Sequence, residues 1–163
     1  MNLRITIQLL AVIISLRAVA LCSSFAAETN AVPQSLRASV GGFLGTSYSV
    51  ELRDGSLYYS AADGPTKTQP IRITPSAQQW QEFRRALESF GIWQWRTNYP
   101  NPGVYDGTQW AVEIRYSDCF LKAQGDNNFP GRGGKPSGSP TVTKAFSAYA
   151  AAVRKLLGGK EFR

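Results

Sequence analysis

Residues 109–123 read QWAVEIRYSDCFLKA, and the fold class depends most on this stretch. Apolar side chains occupy every second position from Trp110 to Tyr116, and mostly polar or charged residues stand between them. This period of two is typical of a β-strand with one buried face and one solvated face. After Ser117-Asp118 the chain can return through residues 120–123, so the stretch predicts an antiparallel β-hairpin.

Further strands are predicted upstream of this hairpin. Residues 48–52 alternate in the same way, meet Asp54-Gly55 and resume as residues 57–59, which predicts another hairpin with a tight turn. Residues 71–73 follow a proline and are predicted to form a third short strand. Residues 92–95 contain two tryptophans that share one side if the backbone is extended.

Two amphipathic helices complete the pattern. The first is predicted to have Thr74 as its N-cap and Pro75 at its first position, and to end at Gly91. The second is predicted to begin with Ser139 and Pro140 and to end at residues 158–159. Two helices on one face of an antiparallel sheet would bury both apolar stripes. The predicted fold class is therefore α+β, with a small antiparallel sheet of about five or six strands and two helices packed on one face.

The 163 residues divide into four predicted parts. Residues 1–26 have the basic start, the apolar run and the small residues before a cleavage site that are typical of a signal peptide. Residues 27–44 are predicted to form a flexible leader, residues 45–158 a single α+β domain, and residues 159–163 a basic C-terminal tail. The chain is therefore expected to be exported to the periplasm or secreted.

The site of cleavage has two interpretations. Ser24-Phe25-Ala26 places small residues at both positions that signal peptidase requires, which puts the mature start at Ala27. Residues 19–22, VALC, resemble a bacterial lipoprotein box in which Cys22 is lipidated, although Leu21 is bulkier than the residue usual there. In the second interpretation the domain is a lipoprotein tethered to a membrane. In either case Cys119 is the remaining thiol, and its apolar neighbours predict a buried structural role.

The positive charge is concentrated near the C-terminus. The whole chain has 18 Lys and Arg residues against 11 Asp and Glu residues, for a net charge of +7. Residues 131–163 contain one acidic residue, Glu161, and these basic residues: Arg132, Lys135, Lys144, Arg154, Lys155, Lys160 and Arg163. Such a region is either a solvated helix face and loop or a surface for anionic lipid or an acidic partner. Nucleic acid is not expected as the partner of an exported protein.

The composition excludes several classes of enzyme. The sequence has no histidine, which removes Ser-His-Asp and Cys-His catalysis and nearly all zinc sites. A glycosidase with two carboxylates remains as an alternative, with Asp106, Glu113, Asp118 and Asp126 as the residues to consider. Residues 131–135, GRGGK, lack the spacing of a phosphate loop. No cofactor or metal is predicted, and a non-enzymatic function is favoured.

The aromatic residues offer both core and surface candidates. Trp80 and Trp110 lie in apolar stripes and are predicted to be buried. Trp93 or Trp95 and Tyr99 lie next to a loop, predicted over residues 98–107, and are the candidates for exposure and binding. A second long loop is predicted over residues 125–138, which contain five glycines.

The central region resembles a group of bacterial proteins that share an order of motifs. The residues that carry the resemblance are Trp80-x-x-Phe83, Trp93-x-Trp95, Tyr99, Asp106-Gly107-Thr108-Gln109-Trp110 and Gly125-x-Asn127-x-Phe129-Pro130. The resemblance attaches no activity. It implies that Asp106 and Asn127 either bind a ligand or fix two turns through side-chain hydrogen bonds to the backbone, and the second role is favoured.

These observations favour a non-enzymatic exported protein of the bacterial envelope that binds a partner, either an envelope protein or a cell-wall glycan. The two predicted loops would form the binding site, with Trp95, Tyr99, Asp106, Asn127 and Asn128 as its candidate residues. A carboxylate-dependent enzyme that cleaves glycans is one alternative. An inhibitor or immunity-like protein that occupies the site of another protein is the other.

Overall fold

A computed structural model of the chain describes residues 31–42, 45–64, 66–101, 103 and 106–163. The predicted signal peptide, its cleavage site and Cys22 lie outside these residues. Among the helices within these ranges, none has the length and apolar content needed to cross a membrane.

Within the described residues, eight strand segments form one sheet. Their bounds are β1 Ser35–Gly42, β2 Thr46–Arg53, β3 Ser56–Asp63, β4 Thr66–Lys67, β5 Ile71–Ile73, β6 Asn98–Tyr99, β7 Thr108–Arg115 and β8 Phe120–Asp126. Seven of them follow the order β4-β3-β2-β1-β7-β8-β6, and β5 also pairs with β3. All pairs are antiparallel except β6 with β8, which is parallel. The α+β class is confirmed, and the sheet is somewhat larger than predicted.

Both predicted hairpins are present. The β2–β3 turn is Asp54-Gly55, where both residues have positive φ (48° and 73°), as a two-residue hairpin turn requires. In β7, Trp110, Val112 and Ile114 are buried and alternate with more exposed residues, which confirms the period of two. Residues 92–95 differ from the prediction, because Ile92–Gln94 form a 3-10 turn rather than a strand.

Two helices cover one face of the sheet. They are α1, Ala77–Ser89, and α2, Lys144–Leu156. Their buried side chains join those of the sheet in one apolar core. Trp80 and Trp110 are both buried in this core, as predicted, and Trp110 of β7 contacts Phe146 of α2 with ring centroids 5.1 Å apart.

The helix caps differ from the predicted ones. Ser76, not Thr74, caps α1: its hydroxyl accepts from the Gln79 N–H, and the Gln79 side chain accepts from the Ser76 N–H. This reciprocal pair satisfies two N–H groups that the first helical turn leaves unpaired. Thr143, not Ser139, caps α2 through the Phe146 N–H. Both predicted proline starts were wrong because a better hydroxyl cap follows each proline.

The predicted flexible leader is wrong for Ser35–Gly42, which form β1 at the centre of the sheet. β1 pairs with β2 on one side and with β7 on the other. Leu36, Ala38 and Val40 point into the core, but two of them are small and the strand ends in glycines. Pairing on both sides supplies the stability that this weak local pattern does not indicate.

The predicted C-terminal tail of residues 159–163 is also wrong, because Phe162 has 0% of its surface exposed. Its ring contacts Tyr149 of α2, with centroids 6.1 Å apart. The domain therefore extends on both sides of the predicted boundaries 45 and 158.

Candidate functional site

The expectation that Trp95 and Tyr99 are exposed is wrong. Trp95 is 6% exposed and Tyr99 0% exposed, so neither presents a ring to a ligand. The Trp95 ring contacts Trp110, Phe146 and Tyr149, with centroids 5.9, 6.3 and 5.5 Å away. The 3-10 turn directs Trp95 inward against α2, and the Tyr99 ring, in β6, packs against Trp110 with centroids 5.4 Å apart.

Tyr99 holds two loops together from inside. Its hydroxyl donates to the carbonyl of Gly134 at 2.6 Å and accepts from the N–H of Arg96 at 2.7 Å. Burial raises the pKa of this phenol, which keeps the donating proton in place. A side chain at residue 134 would lie 2.0 Å from the carbonyl oxygen of Gln94, so the glycine permits the close approach of the two loops.

Asn127 and Asn128 have structural roles that account for their side-chain groups. The Asn127 carbonyl oxygen accepts from the Thr108 N–H at 2.8 Å, and its amide donates to the carbonyl of Asp106 at 3.3 Å. Asn128 donates to the carbonyl of Pro100 and accepts from the N–H of Gly138. Asn127 therefore makes the side-chain to backbone hydrogen bonds that the favoured interpretation expects, whereas Asp106 takes part through its backbone carbonyl. The Asp106 side chain is exposed beside it.

We expect Asn127→Ala to lower the free energy of unfolding by about 1 to 3 kcal/mol, because the Thr108 N–H would lose its acceptor inside the turn. Urea denaturation measures this difference. Gln124→Ala is the matched control, since Gln124 lies in β8, just before Asn127, with its side chain exposed. Equal stabilities of the two variants would contradict the structural role.

Two adjoining depressions lie on the sheet face opposite the helices. We call this surface the open face. One depression of about 400 Å³ and an adjoining one of about 570 Å³ share Ser39, Ser49, Ser60, Ala111 and Gln124. The cleft between α1 and α2, in contrast, has only about 20 Å³ of free volume. The two helices are closely packed against each other, and the open face has room for a partner.

Strand register arranges the open face in three parallel rows. The serine row crosses its middle and contains Ser60, Ser49, Ser39, Ala111 and Gln124. The charged row lies two residues along the strands and contains Tyr58, Glu51, Arg37, Glu113 and Lys122. The small row lies two residues in the other direction and contains Ala62, Ser47, Gly41, Gln109 and Asp126. The middle of the face is therefore small and neutral, with most charges along one side and Asp126 on the other.

The charges of the open face are organised by Glu51. Its carboxylate accepts from Arg37 Nε at 3.0 Å and from Arg53 Nε at 2.9 Å. The hydrogen bond with Arg53 is the main reason that the pKa of Glu51 is lowered, and it outweighs the opposing effect of burial. A carboxylate held ionised in this way cannot serve as the general acid of a glycosidase.

The four carboxylates considered for catalysis do not form a pair around Glu113. In the sheet Glu113 stands opposite Lys122, and Asp126 stands opposite Gln109, four residues back along β7. This separation is about 13 Å along the strand, whereas glycosidase carboxylates lie about 5 to 9.5 Å apart. Asp106 and Asp126 are exposed, and neither lines the depression that contains Glu113.

Asp118 belongs to an ion-pair cluster around Arg84. Arg84 Nη1 and Nη2 donate to the two Asp118 oxygens at 3.1 and 2.8 Å, and Nε donates to Glu88 at 2.6 Å. Burial lowers the pKa of Arg84, but the hydrogen bonds to Asp118 and Glu88 outweigh it and raise the pKa overall. The cluster ties α1 to the β7–β8 turn. Cys119, beside it, is half-buried rather than fully buried.

The basic C-terminal region does not form one continuous surface. Lys155 pairs with Glu82 of α1 at 2.8 Å, and Arg163 pairs with Glu161 at 3.3 Å. Arg154 reaches back to the carbonyl of Phe162. Several of these charges are thus used in contacts within the domain, which favours the interpretation as a solvated helix face over a lipid surface.

The described residues contain no group of three or more Cys, Asp and Glu side chains that could hold a metal ion. No protein-family model matches the chain, and no curated protein is significantly similar to it. The candidate site is therefore assigned from the geometry of the open face and not from a relative. Sequence reasoning missed it because its central strand, β1, was taken for a leader; the alternation of Arg37 and Ser39 with Leu36 and Ala38 was the available signal.

Proposed function

We propose that the chain is a non-enzymatic exported interaction protein of the bacterial envelope, which binds a protein surface with the open face of its sheet. The observation that carries the proposal is the shape of this face, where two adjoining depressions of about 400 and 570 Å³ extend over the serine row. The proposal moves the binding site from the two loops to the sheet, because Trp95, Tyr99, Asn127 and Asn128 are internal supports and Asp106 alone of the candidates is exposed.

The chemistry of the open face suits a protein partner. Its floor offers hydroxyl and amide groups, and its charged row offers both signs within a short distance: Arg37, Glu51, Glu113 and Lys122. Mixed charges of this kind give specificity for a surface with the complementary pattern, whereas a polyanion or anionic lipid would require one sign throughout. A glycan is less well matched, because proteins bind sugar rings by stacking them on exposed aromatic rings. The aromatic residue that lines the 400 Å³ depression is Tyr58, which lies at its border and not in its floor.

The same geometry fits an inhibitor or immunity-like protein, which would use the face to cover another protein's site. It does not support the glycan-cleaving alternative. That reaction needs one carboxyl group whose pKa is raised, and on the open face Glu51 is shifted in the opposite direction.

Site-specific photocrosslinking tests the proposal. A photoreactive phenylalanine analogue would replace Tyr58, an aromatic residue that lines the 400 Å³ depression, or, as the matched control, Ala148 on the exposed side of α2. In cells that export the protein, we expect a product crosslinked to a second polypeptide from position 58 and none from position 148. Crosslinks from position 148 only would contradict the proposal, and a glycosidase-sensitive product from position 58 would assign a glycan instead.

A further inference from the structure

We infer that the protein bound by the open face is a second copy of this chain, related by a two-fold axis that crosses the strands along the serine row. The inference rests on the proposed function and names its partner. It derives from the three rows of the face, which become complementary to each other when one copy is turned over onto the other.

The two-fold axis places each side chain of the charged row over the small row of the second copy. On β8, Lys122 and Asp126 lie on either side of Gln124, so Lys122 of each copy faces Asp126 of the other. On β1, Arg37 and Gly41 lie on either side of Ser39, so the long arginine side chain faces a residue without one. Tyr58 likewise faces Ala62, Glu51 faces Ser47 and Glu113 faces Gln109.

Two other symmetric arrangements of the face bring like charges together. An axis along β1 would put Glu51 against Glu113 of the second copy, because β2 and β7 lie on either side of β1. An axis across the charged row would put Arg37 against Arg37 and Glu51 against Glu51.

A third arrangement, with the axis between β1 and β7, would pair Arg37 with Glu113 and Glu51 with Lys122. It would also set the long side chains of the charged row against each other, which keeps the serine rows and small rows of the two copies apart. The axis along the serine row pairs Lys122 with Asp126 twice and places long side chains over small ones, and a two-fold interface must be self-complementary in this way.

The size of the face and the form of the sheet edges support this arrangement. Five strands and eight residues give a face of about 24 by 26 Å, near the scale of a standard interface with about 800 Å² per partner. The segments at the sheet edges, β4, β5 and β6, contain only two or three residues, and such short edge strands disfavour edge-to-edge pairing. Association face to face is the route that the fold leaves available.

A charge-reversal cycle tests the inference on protein purified from the envelope of exporting cells. Sedimentation velocity should give the mass of two copies for the wild type. Lys122→Asp and Asp126→Lys should each weaken dimerisation about tenfold or more, since each places like charges together at two symmetric positions. The double variant should recover the dimer, because both pairs are restored with their signs exchanged. Lys144→Asp, on the exposed side of α2, is the matched control and should leave the dimer unchanged.

Circular dichroism confirms the fold of each variant, and Ser39→Trp gives an independent check because it fills the serine row on both copies. A wild type that stays monomeric, or single reversals with unchanged mass, would overturn the second copy as partner. The crosslinking experiment separates this failure from that of the proposed function. A product at Tyr58 with a different protein would retain the open face as a binding surface, whereas no product at all would remove both.

Discussion

Trp95→Ala is expected to lower the free energy of unfolding by about 3 to 5 kcal/mol, the range for removal of a large aromatic side chain from a core. Trp95 joins three elements, since its ring contacts Phe90 after α1, Trp110 of β7 and Phe146 of α2. The cavity left by alanine would be lined by other rings that cannot collapse without leaving their own contacts. For a domain with a typical stability of about 5 to 15 kcal/mol, much of the margin would be lost.

Urea denaturation followed by circular dichroism measures this effect, and Phe120→Ala is the control. Phe120 is 44% exposed and lies at the edge of the open face, so its removal should change the stability little. A small effect of Trp95→Ala would show that Trp95 does not pack as described. Loss of partner binding by the same variant would report a damaged core and would carry no information about a binding site.

Phe162→Ala is expected to destabilise the domain by about 3 to 5 kcal/mol, although the residue is the second from the end of the chain. The ring is fully buried against Tyr149, and the backbone around it is held at two points. The Tyr59 hydroxyl donates to the carbonyl of Glu161 at 3.0 Å, and Arg154 donates to that of Phe162 at 3.4 Å. The last residues therefore connect α2 to β3.

Thermal unfolding of Phe162→Ala and Arg163→Ala separates the apolar contribution from the charge. Arg163 is exposed and forms only a surface ion pair, so its removal should change the stability by less than about 0.5 kcal/mol. Equal midpoints for the two variants would indicate that the end of the chain is a tail after all.

Local signals predicted the elements that their own residues specify. The Asp54-Gly55 turn, the alternation in β7 and the stripe of α1 were all predicted correctly, because each depends on neighbours within a few positions. The helix caps were predicted at Thr74 and Ser139, but they lie at Ser76 and Thr143. A proline marks where a helix can begin, whereas the hydroxyl that accepts from the first helical turn decides where it does begin. β1 was missed because its strand character depends on partners that are distant in sequence.

The candidate site was harder to predict than the fold. Tyr99 and Asn127 lie in the two segments, rich in glycine and proline, that were predicted to be loops, where exposed binding residues are common. Their hydrogen bonds to Gly134 and Thr108 arise only when two distant loops meet, which no periodicity indicates. The open face could not be predicted because Ser39, Ser49 and Ala111 carry no binding signal individually. They become neighbours only through the register of β2, β1 and β7.

The position of β1 has a consequence for the order in which the chain can fold. β1 is the first strand in sequence, yet it pairs with β7, which comes after β2 to β6 and α1. The β2–β3 hairpin can close as soon as it is made, whereas the middle of the sheet must wait for a contact between distant parts of the chain, and such contacts slow folding. During synthesis, the core can therefore close only after β7 has appeared.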